Sequence, residues 1–268
     1  MKILFIGDII GKPGRRITRK AIPALVKRYG IDLIIANVEN AAGGMGITRE
    51  VAETILDYGV HVMTSGNHVW DKREALDYIQ GEPRLLRPAN YPTAVPGRGY
   101  YVASTAADEK VGVINVMGRV FMNPLDNPFS VVHEQITAVR ATADTRVVLV
   151  DFHAEATSEK LAMGWHLDGE VTAVVGTHTH VQTADERILT RGTAYITDVG
   201  MTGPHDSIIG VETHAALKRF VDGMPSRFDT ATGNLRINAV VITADAKTGI
   251  AGKIERLSLS DAEIEAIS

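Results

Sequence analysis

The feature that most constrains this chain is a recurring one: short apolar runs, each closed by polar residues, alternating with stretches of helical period. Lys2–Ile6, Leu33–Ala36, His61–Thr64, Val147–Val150 and Val171–Val175 read as buried strands. Between them lie segments such as Ile17–Tyr29, where Ile17, Ala21, Ile22, Leu25 and Val26 share one helix face before Gly30. Further helices are expected around Val51–Leu56 after a Thr48 cap, around Glu74–Ile79 and around Val131–Ala141. Strand–helix alternation predicts crossover units and a largely parallel sheet with helices on its faces. Tyr100–Ala103 and Val111–Asn115 read as a hairpin, Arg191-Gly192 as a tight turn within Ile188–Ile196, and Ile237–Thr243 and Ile254–Ser258 as antiparallel strands. Pro83, Pro88, Pro92 and Pro96 make 81–99 an extended connection, and the segment Gly200–Gly210 reads as a loop of the kind that borders sites. The expected architecture is a two-sheet α/β sandwich in one domain over 1–268.

Composition narrows the chemistry. The 268 residues contain no cysteine, which excludes disulfides, thiolate-held zinc or iron–sulfur centres and thiol catalysis. A net charge of -4 leaves no broad basic field, so strong sequence-independent nucleic-acid binding is not expected. Neither a leader segment nor an apolar stretch of membrane-spanning length is visible, and a cytoplasmic protein is expected.

What closes each strand is more informative. Lys2–Ile6 runs into Gly7-Asp8, Leu33–Ala36 into Glu39-Asn40, and His61–Thr64 into Gly66-Asn67-His68. Val147–Val150 leads to Asp151 and His153, and Val171–Val175 to His178 and His180. Open α/β sheets bind ligands outside the carboxyl ends of their strands. Carboxylate, amide and imidazole donors without thiolate suit iron, manganese or zinc. Each piece has a plainer reading: Asp8 or Glu39-Asn40 as helix caps, Gly66-Asn67 as a turn, the two histidines as a surface turn. If the strand continues through 178–180, both imidazoles face one side. Asn67 can lend a carbonyl oxygen to a metal while His68 points to substrate. Five donor-bearing ends at one edge outweigh the separate plainer readings.

This order of residues resembles the calcineurin-like metallophosphoesterases, and within them the YmdB-like branch of bacterial phosphodiesterases, over nearly the whole chain. Met1–Gly14, Glu39–Gly44 and Thr197–Pro204 carry the likeness most specifically. Two positions depart from the wider superfamily: Ile10 stands where its Asp-x-His block has the histidine, and Glu39 where it has a bridging aspartate. The resemblance implies two metal ions, one held by Asp8, Glu39, Asn40 and His180, the other by Glu39, Asn67, His153 and His178. The oxygen-rich set favours iron or manganese over zinc. It further implies hydrolysis of a phosphodiester, with 3',5'- or 2',3'-cyclic nucleotides as the substrate class, by a hydroxide shared between the ions; His68, which adjoins a metal ligand but need not be one, is the expected general acid. Two dications against two carboxylates and a hydroxide leave the site positive, which suits an anionic substrate. The alternatives left open are another metal-dependent hydrolase, since amidohydrolase barrels also use His-x-His, and a phosphate- or nucleotide-sensing regulatory protein of low turnover. Lys12, Arg15 and Arg16 could meet a phosphate, although a solvated helix start accounts for them as well. Asp151 and Asp198 could orient ligand histidines, and His205 could line the pocket. His61, His133, His166 and His214 receive no role. Self-association is compatible with the sequence, which names no protein partner.

Overall fold

Alternation along the buried strands sends neighbouring side chains into different cores, and this organises the molecule. In strand β1 (Lys2–Ile6), Ile3 and Phe5 join an inner core while Leu4 and Ile6 join an outer one. The computed structural model describes residues 1–268. After β1 come β2 (Asp8–Ile9), α1 (Gly11–Tyr29), β3 (Leu33–Asn37), α2 (Arg49–Asp57), β4 (Val62–Thr64) and α3 (Glu74–Gly81). The middle of the chain forms β5 (Tyr100–Ser104), β6 (Lys110–Met117), α4 (Pro128–Thr142), β7 (Val148–His153), α5 (Thr157–His166) and β8 (Ala173–Thr177). The remainder supplies β9 (Arg187–Ile188), β10 (Ala194–Ile196), β11 (Met201–Pro204), α6 (Thr213–Asp222), β12 (Leu235–Ala244), β13 (Ala251–Ser260) and α7 (Asp261–Ile267).

Two sheets result. In the first, β1, β3 and β4 run parallel, with Ile3 opposite Leu33 and Ile35 opposite Val62. The ten-residue β12 pairs antiparallel with β1 on one edge and with β13 on the other. Beyond the end of β1, the same edge of β12 pairs with β11, which pairs in turn with β2. In the second sheet, β6, β7, β8 and β10 are parallel, with β5 and β9 antiparallel at the edges. The sheets pack face to face over Phe5, Leu33, Ile35, Val113, Leu149 and Val175. Helices α1, α2, α3 and α7 cover the outer face of the first sheet, and α4 and α5 that of the second. The expected two-sheet sandwich is therefore present, as four layers. Burying Phe5 completely is worth about 1.5–3 kcal/mol. No helix is long and apolar enough to cross a membrane.

Several local expectations shift. Helix α1 starts at Gly11 instead of Ile17, because Pro13 lies in the first turn, where a missing N–H costs nothing. Strand β7 runs on to His153, and β8 covers 173–177 instead of 171–175. The loop expected over 200–210 contains β11. The hairpin of β5 and β6 and the turn at Gly192 form as read. Residues 82–99 hold only isolated bridges, Met63 to Leu85 and Leu86 to Arg98.

Candidate metal centre at the strand ends

Parallel pairing places the carboxyl ends of β1, β3 and β4 at one edge of the first sheet, and those of β7 and β8 at the matching edge of the second. The donors meet between them. Asp8 lies in β2 and Glu39 and Asn40 follow β3. Asn67 and His68 follow β4, His153 ends β7, and His178 and His180 follow β8.

Glu39 Oε1, Asn67 Oδ1 and His178 Nδ1 lie 3.2, 3.0 and 3.1 Å from His153 Nε2. Hydrogen bonds on the far sides of the rings fix which atoms face inward. Thr177 Oγ1 donates to Asp151 Oδ1 at 2.7 Å and lies 2.9 Å from His153 Nδ1, so it accepts the Nδ1 proton and leaves the Nε2 lone pair pointing inward. His178 Nε2 is 3.1 Å from Glu155 Oε2, which places its proton there and turns the Nδ1 lone pair inward. With both rings neutral, four lone-pair atoms converge here, an arrangement that calls for either a cation or a proton on His153 Nε2. Donors about 2.0–2.2 Å from one cation stand about 3–3.5 Å apart, and the three distances from His153 Nε2 fall in that range. Glu39, His153 and His178 together form a cluster able to bind a metal.

A second set adjoins the first. His180 Nδ1 donates to the Ile209 carbonyl at 2.9 Å, leaving Nε2 3.9 Å from Asp8 Oδ1. Asp8 Oδ1 and Asn40 Oδ1 are buried with no hydrogen-bond partner, and Glu39 Oε1 has none but the His153 ring, when that ring is protonated. Buried polar oxygens normally have one, and a buried carboxylate without a counter-charge costs several kcal/mol. Unpartnered buried oxygens beside a set of imidazole donors have the chemistry of a cation site. These residues fit the implied metals.

The protonation states agree. Burial pushes Glu39 upward, but the charge and hydrogen bond of His153 overcome it and hold the carboxyl at about 2. Burial pushes His153 down, but Glu39 outweighs it and raises the ring to about 9. Burial and the neighbouring His153 charge lower His178 to about 3. Burial raises Asp8, and raises Asp151 to about 7. Without a cation, one imidazolium takes its place between the acids.

The turn carrying His178 and His180 is not a continuation of β8. Both residues adopt positive φ, 103° and 65°, so the two-residue strand period expected to align them does not apply. The turn is held instead by Asp198, whose Oδ2 accepts from Thr179 N at 3.1 Å, Thr179 Oγ1 at 2.8 Å and Lys160 Nζ at 2.6 Å. Lys160 also donates to the Thr177 carbonyl at 2.8 Å. His68 donates its backbone N–H to Glu39 Oε2 at 3.0 Å, and its Nδ1 lies 2.7 Å from Asp71 Oδ2.

All eight residues singled out in the sequence gather here, and Asp151 and Asp198 stand behind the histidines. Thr177, Lys160, Glu155, Asp71 and Ile209 were missed. Only Asp71, three residues after His68, carried a local signal. Lys12 and Arg16 are exposed at the start of α1, and the half-buried Arg15 donates to the Ala41 carbonyl as a strut of the loop. His205 lies beside Asn238 and lines a cavity of 370 Å³ that also reaches His180. His61 accepts from Ile34 N–H, His133 and His166 pair with each other on α4 and α5, and His214 is exposed on α6. A cavity of 690 Å³ between α2 and α3 contains none of the donors.

Residues 4–257 match the YmdB-like protein family. The chain is 49% identical over 262 residues to a 2',3'-cyclic-nucleotide 2'-phosphodiesterase of Bacillus subtilis, covering 97% of this chain and 98% of that one. Its fold is similar to the crystal structure of a protein from Thermus thermophilus, with TM-score 0.89, 40% identity, and coverage of 97% and 99% of the two chains. It is equally similar to a phosphatase of Mycoplasma pneumoniae, with TM-score 0.89, 36% identity, and coverage of 97% and 93%.

Proposed function

Since the chain belongs to the YmdB-like family of phosphoesterases, we propose that it is a dinuclear phosphodiesterase that opens the 2',3'-cyclic phosphate of a nucleotide. The observation that carries this reading is the convergence of lone pairs from Asp8, Glu39, Asn40, Asn67, His153, His178 and His180 at one edge, with Asp8 Oδ1 and Asn40 Oδ1 buried without any hydrogen-bond partner. Asp8, Glu39, Asn40 and His180 would hold one ion, and Glu39, Asn67, His153 and His178 the other, with Glu39 shared. Two carboxylates, two amide oxygens and three imidazoles favour iron or manganese. Bound there, such ions neutralise phosphate charge and make water a nucleophile at neutral pH.

The chain's own residues do the rest. Thr177, Glu155 and the Ile209 carbonyl hold the three imidazoles in the tautomers that bind cations. His68 is the general acid. Asp71 engages Nδ1, leaving Nε2 to protonate the departing 2'-oxygen as water adds across the P–O2' bond. The product is the 3'-phosphate. The substrate preference follows the B. subtilis relative, whose name specifies 2',3'-cyclic nucleotides.

The test is hydrolysis of adenosine 2',3'- and 3',5'-cyclic phosphates by protein reconstituted with Mn²⁺ or Fe²⁺, before and after chelation, with the regiochemistry of the product determined. Turnover of the 2',3'-ester to the 3'-phosphate, lost on chelation and restored by metal, is expected. Tight phosphate binding without turnover would replace the enzyme with a sensor.

A further inference from the structure

Beside the metal centre lies a cavity of about 220 Å³, with His68 and His180 among its lining residues. Away from them its lining changes character to Met45, Ile209, Val211 and Phe228. Met45 and Ile209 are 49% and 51% exposed, so two large apolar side chains lining one cavity are open to solvent beside a polar site. Phe228 is half-buried, and the Arg219 guanidinium lies over its ring at 5.3 Å, which steadies it. Ile209 has φ 47°, a conformation that β-branched residues rarely adopt. The same residue gives His180 its carbonyl partner, so one backbone position both orients the imidazole and supplies part of the apolar wall. The volume is below the roughly 300–1,000 Å³ of pockets that enclose a drug-sized ligand. It suits a flat ring system attached to a group held next door.

We propose that this cavity receives the nucleobase of the substrate, with Phe228 as the surface on which the base stacks. The inference rests on the phosphodiesterase reading and adds to it the group that distinguishes a nucleotide from any other diester. With the phosphodiester beside His68 and His180, the base is carried over an apolar wall that offers stacking, while Asp229 and Thr230 next to Phe228 are polar side chains of the same lining.

The experiment compares kcat/KM for adenosine 2',3'-cyclic phosphate with that for 1-O-methylribose 2',3'-cyclic phosphate, which has the same reacting ring and no base. In Phe228→Ala the ratio of the two falls by about 5- to 150-fold, the range that loss of one base–aromatic stack produces, and the change lies in KM. Phe228→Trp restores the ratio. Adenosine, which has the base and no phosphate, competes with substrate in the wild type and less well in Phe228→Ala. Met45→Ala, at an exposed loop position, lowers the ratio in the same direction and covers the case of a poorly folded Phe228→Ala. An unchanged ratio in both variants, or a wild type that turns over the base-less ester as efficiently as the nucleotide, overturns the base subsite alone. A metal-loaded wild type that hydrolyses neither ester overturns the phosphodiesterase reading beneath it.

Discussion

Replacing Asp198 by asparagine tests whether the turn carrying His178 and His180 is held from behind. Asp198 and Lys160 are 0% and 1% exposed, and the carboxylate takes donors on both oxygens. Oδ2 accepts from Lys160 Nζ and from both donors of Thr179, and Oδ1 accepts from Gly200 N–H at 2.8 Å. An asparagine of the same shape must aim its NH₂ either at three donors or at one. Turning it toward Gly200 loses less, yet still leaves Lys160 charged and buried against a neutral amide. Breaking a buried pair from one side costs about 3–5 kcal/mol, which for a chain of this size is on the order of 10 °C in Tm. The turn at His178 and His180 also loses its anchor, and disturbing groups behind metal ligands lowers affinity about 10- to 100-fold. Urea denaturation of the metal-free protein and a competitive-chelator titration read the two effects separately. Lys160→Met combined with Asp198→Asn is expected to cost less than the two separate losses added, because the second change removes the charge that the first leaves unpaired. An Asp198→Asn protein within about 1 kcal/mol of the parent that binds Mn²⁺ as tightly would refute the reasoning.

Three further outcomes follow from the same geometry. His68→Ala should retain its metals, by elemental analysis, while kcat falls about 10²- to 10⁴-fold, most for substrates with poor leaving groups; metal loss would make His68 a ligand instead of an acid. Gly66→Ala should lose metal binding, because a Cβ there would overlap the His153 ring, and chelator titration of the folded variant checks it. The pH dependence has two opposite signs. His153 is raised from 6.5 to about 9 in the metal-free protein, so its contribution to stability is complete below about 6.5 and is lost as pH rises through about 9. Glu39, lowered from 4.5 to about 2, contributes above about 4.5, and that contribution is lost as pH falls through about 2. A cation requires the neutral ring, so metal affinity should climb with pH up to about 9 with release of one proton, measurable by calorimetry in buffers of different ionisation enthalpy.

The strand ends were legible in the sequence because two periodicities located the strands and parallel pairing then forced their carboxyl ends to one edge. That logic needs no knowledge of how the sheets meet, which is why Asp8, Glu39, Asn67 and His153 could be gathered from separated segments. It fails where position depends on a clamp from elsewhere in the chain. His178 and His180 were expected to share a strand face, yet both sit at positive φ in a turn tied to Asp198 about twenty residues on. Without that tie the backbone cost of two non-glycine residues in such conformations, about 1–3 kcal/mol each, would favour the straight strand. Lys160 was invisible for a related reason: a lysine on an unmarked helix reads as solvent-facing until its neighbours are known, and only the packing of α5 behind β8 turns it inward to Asp198. Identical residue types therefore carry opposite meanings at the two depths of this site. At the strand ends, donor chemistry alone announces a cation; one layer back, the same polar groups matter only through the hydrogen bond each makes to a ligand, which is a property of the fold and not of any local string of residues.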